Sequence, residues 1–118
     1  PYVTPGNIDG PLSEYYGRGG WTWYTGSSQW LHRVATHWIL GIRPQKDGLL
    51  VDPSIPSDWS EYRVTRKFRN ATYEISVHNP AHLHSGVKSM SVDGVMVQGN
   101  LIPIFADGLT HRLEVTMG

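Results

Sequence analysis

The chain has 118 residues, 39% of them hydrophobic, which is enough for one compact domain with an ordinary apolar core and too little for two complete ones. It contains no cysteine, which excludes disulfide scaffolds, thiolate zinc sites and cysteine nucleophiles. Ten basic residues balance ten acidic ones and no apolar run approaches the roughly twenty residues that span a bilayer, so neither nucleic acid nor a membrane is an expected partner.

Residues 1–24 come first in chain order. Pro5, Gly6, Gly10, Pro11, Gly17, Gly19 and Gly20 interrupt the backbone too often for a long regular element, and an extended loop is expected. Trp30, Leu31, Val34, Ala35, Trp38 and Ile39 then recur at spacings of one, three and four, laying an apolar stripe along a helix from about Gly26 to Leu40. Thr25 or Ser27 can cap its start, Gly41 suits a left-handed end, and Pro44 prevents resumption.

Past Pro44 the period falls to two. Gly48 to Asp52 is a short apolar strand closed by Pro53 and Pro56. Tyr62, Val64 and Phe68 alternate with Arg63, Thr65, Lys67 and Arg69, and Tyr73, Ile75 and Val77 alternate with Thr72, Glu74, Ser76 and His78. Arg69-Asn70 and Asp93-Gly94 are tight-turn candidates, Gly108 marks a further turn, and Leu113, Val115 and Met117 form the apolar side of a last strand. The pattern predicts a mainly β fold, a small antiparallel sandwich. A tryptophan buries about 200 Å² in a core, so a helix carrying Trp30 and Trp38 as core residues outstrips one face of such a sandwich. It is expected to belong to a larger helical body outside this chain, and Pro1 in place of methionine agrees with an upstream polypeptide.

The run Gly19-Gly20-Trp21-Thr22-Trp23-Tyr24-Thr25-Gly26-Ser27-Ser28-Gln29-Trp30 delivers a glycine-flexible turn directly into the first turn of that helix. The first four helical N–H groups have no intrahelical partner, and the aligned peptide dipoles place about half a positive charge there. A phosphate can accept from Gly26 and Ser27 N–H while the Thr25 hydroxyl donates to another of its oxygens. The same residues would equally serve as an ordinary cap, and the Lys-Ser or Lys-Thr pair of a nucleotide-binding P-loop is missing. Trp21 and Trp23 can stack on sugar rings or pack the loop onto its scaffold. His78, His82 and His84 have metal-ligand spacing, yet no carboxylate adjoins them in sequence, and 79–86 reads as a solvated loop; no metal is expected.

Taken together, Trp21-Thr22-Trp23-Tyr24-Thr25-Gly26-Ser27, Ile39-Leu40-Gly41-Ile42-Arg43-Pro44, Asp47-Gly48-Leu49, Asp52-Pro53, Ile55-Pro56, Trp59, Tyr73-Glu74-Ile75 and Asn79-Pro80 resemble the C-terminal part of glycoside hydrolase family ninety-four. These are inverting disaccharide phosphorylases, joined by the corresponding region of cyclic β-1,2-glucan synthases. The resemblance implies that residues 1–44 are the last loop and helix of a catalytic (α/α)6 barrel and 45–118 a C-terminal jelly-roll-like β-sandwich domain. It implies reversible phosphorolysis of a β-linked disaccharide or oligosaccharide to α-glycosyl 1-phosphate. Inorganic phosphate is then a co-substrate, no other cofactor is needed, and the complete enzyme is a cytoplasmic homodimer. Thr25 and Gly26 are implied to bind the phosphate. The general acid is implied to lie outside this chain, so that Asp9 and Asp52 do not fill its place and the 118 residues alone are inactive. Arg18, Trp21 and Trp23 are the substrate-lining candidates. The competing reading is a free-standing carbohydrate-binding or structural sandwich module without catalysis.

Overall fold

The computed structural model describes residues 4–21 and 25–118, and the chain divides into two units, 1–35 and 36–118. In the first, the expected loop contains a short antiparallel ladder, β1 (Asn7–Ile8) against β2 (Gly19–Gly20). Helix α1 (Thr25–Arg33) follows. It begins where the stripe predicts, but from Val34 to Ile39 the backbone widens into a π-helical stretch. None of the described residues of 1–35 is buried.

The second unit is a β-sandwich. Its smaller sheet has the order β3-β4-β9, formed by Ile42–Pro44, Gly48–Val51 and Leu101–Pro103. Its larger sheet has the order β5-β6-β10-β7-β8, formed by β5 (Glu61–Phe68), β6 (Ala71–His78), β10 (Thr110–Thr116), β7 (Ser89–Val92) and β8 (Val95–Val97). The alternation read from the sequence selects the inner face. Tyr73, Ile75 and Val77 of β6 and Leu113 and Val115 of β10 are buried, against Leu49 and Val51 of β4 and Ile102 of β9. Each such side chain contributes roughly 1.5–3 kcal/mol by leaving water. One pairing departs from the antiparallel expectation: β10 runs parallel to β6, with Leu113 opposite Ile75, because the last strand enters between β6 and β7 rather than at an edge.

The predicted turns are tight and left-handed. Arg69 and Asn70 have φ of 45° and 62°, Asp93 and Gly94 of 50° and 83°, the pair of positive values that matches the twist of a two-residue hairpin. At the end of the π-helical stretch Gly41 takes φ 72°. The last carbonyls there would otherwise lack partners. Three groups of the sandwich supply them: Ser54 N–H donates to Ile39 O at 2.9 Å, the Tyr62 hydroxyl to Leu40 O at 2.6 Å, and Asp52 N–H to Gly41 O at 2.9 Å. Burial pushes the Tyr62 phenol well above its ordinary range.

Trp30 and Trp38, expected as core residues of a helical body that lies outside this chain, are 66% and 55% exposed within it. Arginine guanidinium groups lie over both rings, Arg33 over Trp30 at 5.9 Å and Arg43 over Trp38 at 4.6 Å, which suits an indole face in contact with water. The segment 79–86 is exposed from 80 to 85, as expected of a solvated loop, but Asn79 at its start is completely buried. Its Nδ2 donates to Trp59 O at 3.0 Å and Leu83 O at 2.8 Å, and its Oδ1 accepts from Leu83 N–H at 2.8 Å, so one side chain closes the loop. Among the described residues no helix is long and apolar enough to cross a membrane.

Candidate functional site

The start of α1 is held from behind by the segment before β1. Gly6 N–H lies 3.0 Å from both Gly20 O and Trp21 O, so the glycine pair of the motif and the chain at Gly6 run side by side. From the helix, Ser28 Oγ donates to Thr4 Oγ1 at 3.0 Å, and Ser27 Oγ makes a longer contact of 3.5 Å with Pro5 O. Both serine hydroxyls of the motif are therefore turned toward the 4–5 segment.

Gly26 has the opposite surroundings. It is exposed, and among the described residues a Cβ built on it would meet nothing within 4 Å. No acidic residue occupies the first turn, while His32 and Arg33 stand in the last. The positive end of the helix dipole is thus left uncompensated by any carboxylate of its own. That is the arrangement in which helix amides can take up an external anion. Thr25 is the first helical residue.

Of the remaining candidates, Trp21 and Arg18 are among the described residues. Trp21 has φ 49° and is 75% exposed. Trp23 lies outside the described residues. Arg18 sits in the hairpin between β1 and β2 with its guanidinium 5.0 Å from the centre of the Tyr15 ring. Tyr15 carried no sequence signal beyond being aromatic; what brings it under Arg18 is the turn in which Arg18 N–H donates to Tyr15 O at 2.9 Å. Asp9 contributes backbone to the same hairpin, its N–H bonded to Arg18 O and its carbonyl to Gly17 N–H, both at 2.9 Å. Asp52 is ion-paired with Arg43, which occupies its carboxylate.

The three histidines of the 78–84 run diverge. His78 has carboxylates beside it that sheet register brings in from strands distant in the chain: Nε2 is 2.9 Å from Glu114 Oε2 and Nδ1 is 3.8 Å from Glu61 Oε2. His82 Nδ1 turns instead to Ser57 O at 2.8 Å. Among the described residues no cluster of three or more side chains has the arrangement of a metal site.

No protein-family model matches the chain. Individual proteins do. It is 42% identical over 118 residues to the N,N'-diacetylchitobiose phosphorylase of Vibrio proteolyticus, covering all of this chain and 15% of the relative. It is 36% identical over 117 residues to the solabiose phosphorylase of Paenibacillus borealis, covering 99% of this chain and again 15% of the relative. It is also 47% identical over 79 residues to the cyclic β-(1,2)-glucan synthase NdvB of Rhizobium meliloti, covering 65% of this chain and 3% of that protein. The chain spans about 15% of the length of the two phosphorylases it matches.

Proposed function

The chain belongs with the disaccharide phosphorylases as a relative of one segment of them, and from that premise we propose that it is part of an inverting phosphorylase that cleaves a β-linked disaccharide or oligosaccharide with inorganic phosphate. The observation that carries this reading is the relationship over the whole chain to two such enzymes of different substrate. In the proposed enzyme, residues 1–44 join a helical barrel that holds the reacting sugars, and 45–118 form the sandwich beside it.

Thr25 and Gly26 are proposed to hold phosphate at the start of α1. The open space at Gly26 and the absence of an acidic residue in the first turn support this. Phosphate is already a charged nucleophile, so it needs no carboxylate to activate it, unlike the water of an inverting hydrolase. What the protein must supply is position, with the phosphate held in line with the anomeric carbon while a general acid outside this chain protonates the leaving oxygen.

The test is a pair of substitutions in the intact enzyme. Thr25→Val removes one hydrogen bond to a charged ligand, a loss of about 1.5–3 kcal/mol, and is expected to raise KM for phosphate about tenfold or more with KM for the sugar little changed. Gly26→Ala adds a methyl group where an approaching phosphate would come closest, and where none of the described residues lies within 4 Å. It should weaken phosphate while leaving thermal stability equal or slightly higher, since alanine is the better helix former. Unchanged phosphate kinetics in both variants would overturn the assignment and favour a sandwich module without a part in the reaction.

A further inference from the structure

The inner end of the larger sheet contains a constellation that the phosphate reading does not use. His111 on β10 is 7% exposed. Its Nδ1 is 2.7 Å from Asp93 Oδ2, and its Nε2 is 3.1 Å and 3.2 Å from the two carboxylate oxygens of Asp107. Ionised carboxylates only accept hydrogen bonds. A neutral imidazole has one N–H and can donate to one of them; only the doubly protonated ring satisfies both at once.

Each carboxylate belongs to a different connection. Asp93 is in the turn between β7 and β8, and its Oδ1 also accepts Arg112 N–H at 2.8 Å. Asp107 is in the 104–109 loop between β9 and β10, and its Oδ1 also accepts Leu109 N–H at 2.9 Å. The same loop lays Phe105 on the imidazole, with ring centres 4.0 Å apart and planes 21° from parallel. Tyr73 of β6 packs near the ring at 5.9 Å. Of the charged groups around the ring, Asp93 and Asp107 attract a proton. Arg112, the next residue on β10, turns to the other face of the sheet, where its Nε is 3.5 Å from Glu74.

We propose that Asp93, His111 and Asp107 form a proton-operated fastener, in which the imidazolium ties the β7–β8 turn and the 104–109 loop to the centre of the sheet and loss of one proton releases the loop. The loop is the arm that goes because the Asp93 contact is the shorter, so a neutral ring keeps its hydrogen on Nδ1. Its bare Nε2 then faces a carboxylate, and the loop is left to its contacts with the β5–β6 hairpin, Gly108 N–H to Asn70 O at 2.7 Å and Thr72 N–H to Leu109 O at 2.9 Å.

The direction with pH follows from the same contacts. The Asp93 hydrogen bond, against the cost of burial and with help from Asp107, raises His111 above its ordinary 6.5. Asp93 is lowered from 3.8 first by its bond to His111 and next by Arg112 N–H, and Asp107 is lowered first by Leu109 N–H, with His111 adding to it. The histidine part of the stabilisation is complete below 6.5 and is lost as pH rises through the raised value. The aspartate part is complete above 3.8 and is lost as pH falls through the lowered values. The fastener is fully closed between those limits.

Amide hydrogen exchange of the intact protein, read as protection factors from about pH 6 to about pH 9, tests this. Protection of residues 104–109 is expected to fall over that range by about tenfold for each unit by which closure of the loop, apart from the Asp93 contact, raises the His111 pKa, while β6 amides stay constant. His111→Gln should abolish the step. Asp107→Asn, at a partly exposed position, should move its midpoint to lower pH. A flat profile in the wild type, the same step in His111→Gln, or an unmoved midpoint in Asp107→Asn overturns the proposal; if His111→Gln does not fold, the other two measurements decide.

Discussion

Asn79 shows how much one side chain can organise. Buried completely, it satisfies two carbonyls and one amide of the 59–83 region. Replacing it by alanine leaves those groups without partners away from water, each a cost of about 1–3 kcal/mol, although partial relaxation keeps the sum below simple addition. Asn79→Ala is therefore expected to cost about 2–4 kcal/mol in chemical denaturation. Asn79→Asp should be at least as damaging, because it turns a donor that serves two carbonyls into an acceptor facing them. Asparagine before proline reads in a sequence as a turn residue, and its burial leaves no local mark. His111 was equally hidden. The two Asp-Gly pairs at 93–94 and 107–108 mark turns, but nothing local shows that both aspartates, 18 and 4 residues from the histidine, meet the same ring.

At the level of elements, the helix end and the hairpins use positive φ under different constraints. At Gly41 a Cβ would overlap the Asp52 carbonyl and the Pro53 nitrogen, whereas at Gly94 it would meet nothing within 4 Å. Gly94→Ala is expected to cost about 1 kcal/mol, the conformational penalty alone. Gly41→Ala should cost about 3 kcal/mol or more, since it also separates the helix end from the strand that caps it; thermal unfolding of the two variants side by side measures the difference. Strands β5 and β6 and their turn were legible because alternation and turn chemistry are local. The π-helical stretch was not, because the same stripe of apolar residues fits either helix. Nor was the parallel pairing of β10, since the period of a strand does not name its neighbour. At the start of α1 the glycine-rich delivery was legible, but the use of Ser27 and Ser28 was not, as their partners lie 22 and 24 residues away.

For the molecule as a whole, the buried apolar residues among those described run from Ile42 to Met117, all within 36–118. A polypeptide of residues 36–118 is accordingly expected to unfold cooperatively on heating, with the near-ultraviolet dichroism of a fixed core. Residues 1–35 alone should show little helix, because the nine residues of α1 fall below the roughly 12–15 at which isolated helices persist in water. Loss of cooperativity in 36–118 would show that this core does not suffice. The position of β10 has one more consequence. It occupies the middle of the larger sheet yet follows every other strand of it in sequence. On the ribosome, then, β6 and β7 emerge with their facing edges open and stay so until the nascent chain has released Thr116. Over that interval their open edges are templates for intermolecular pairing.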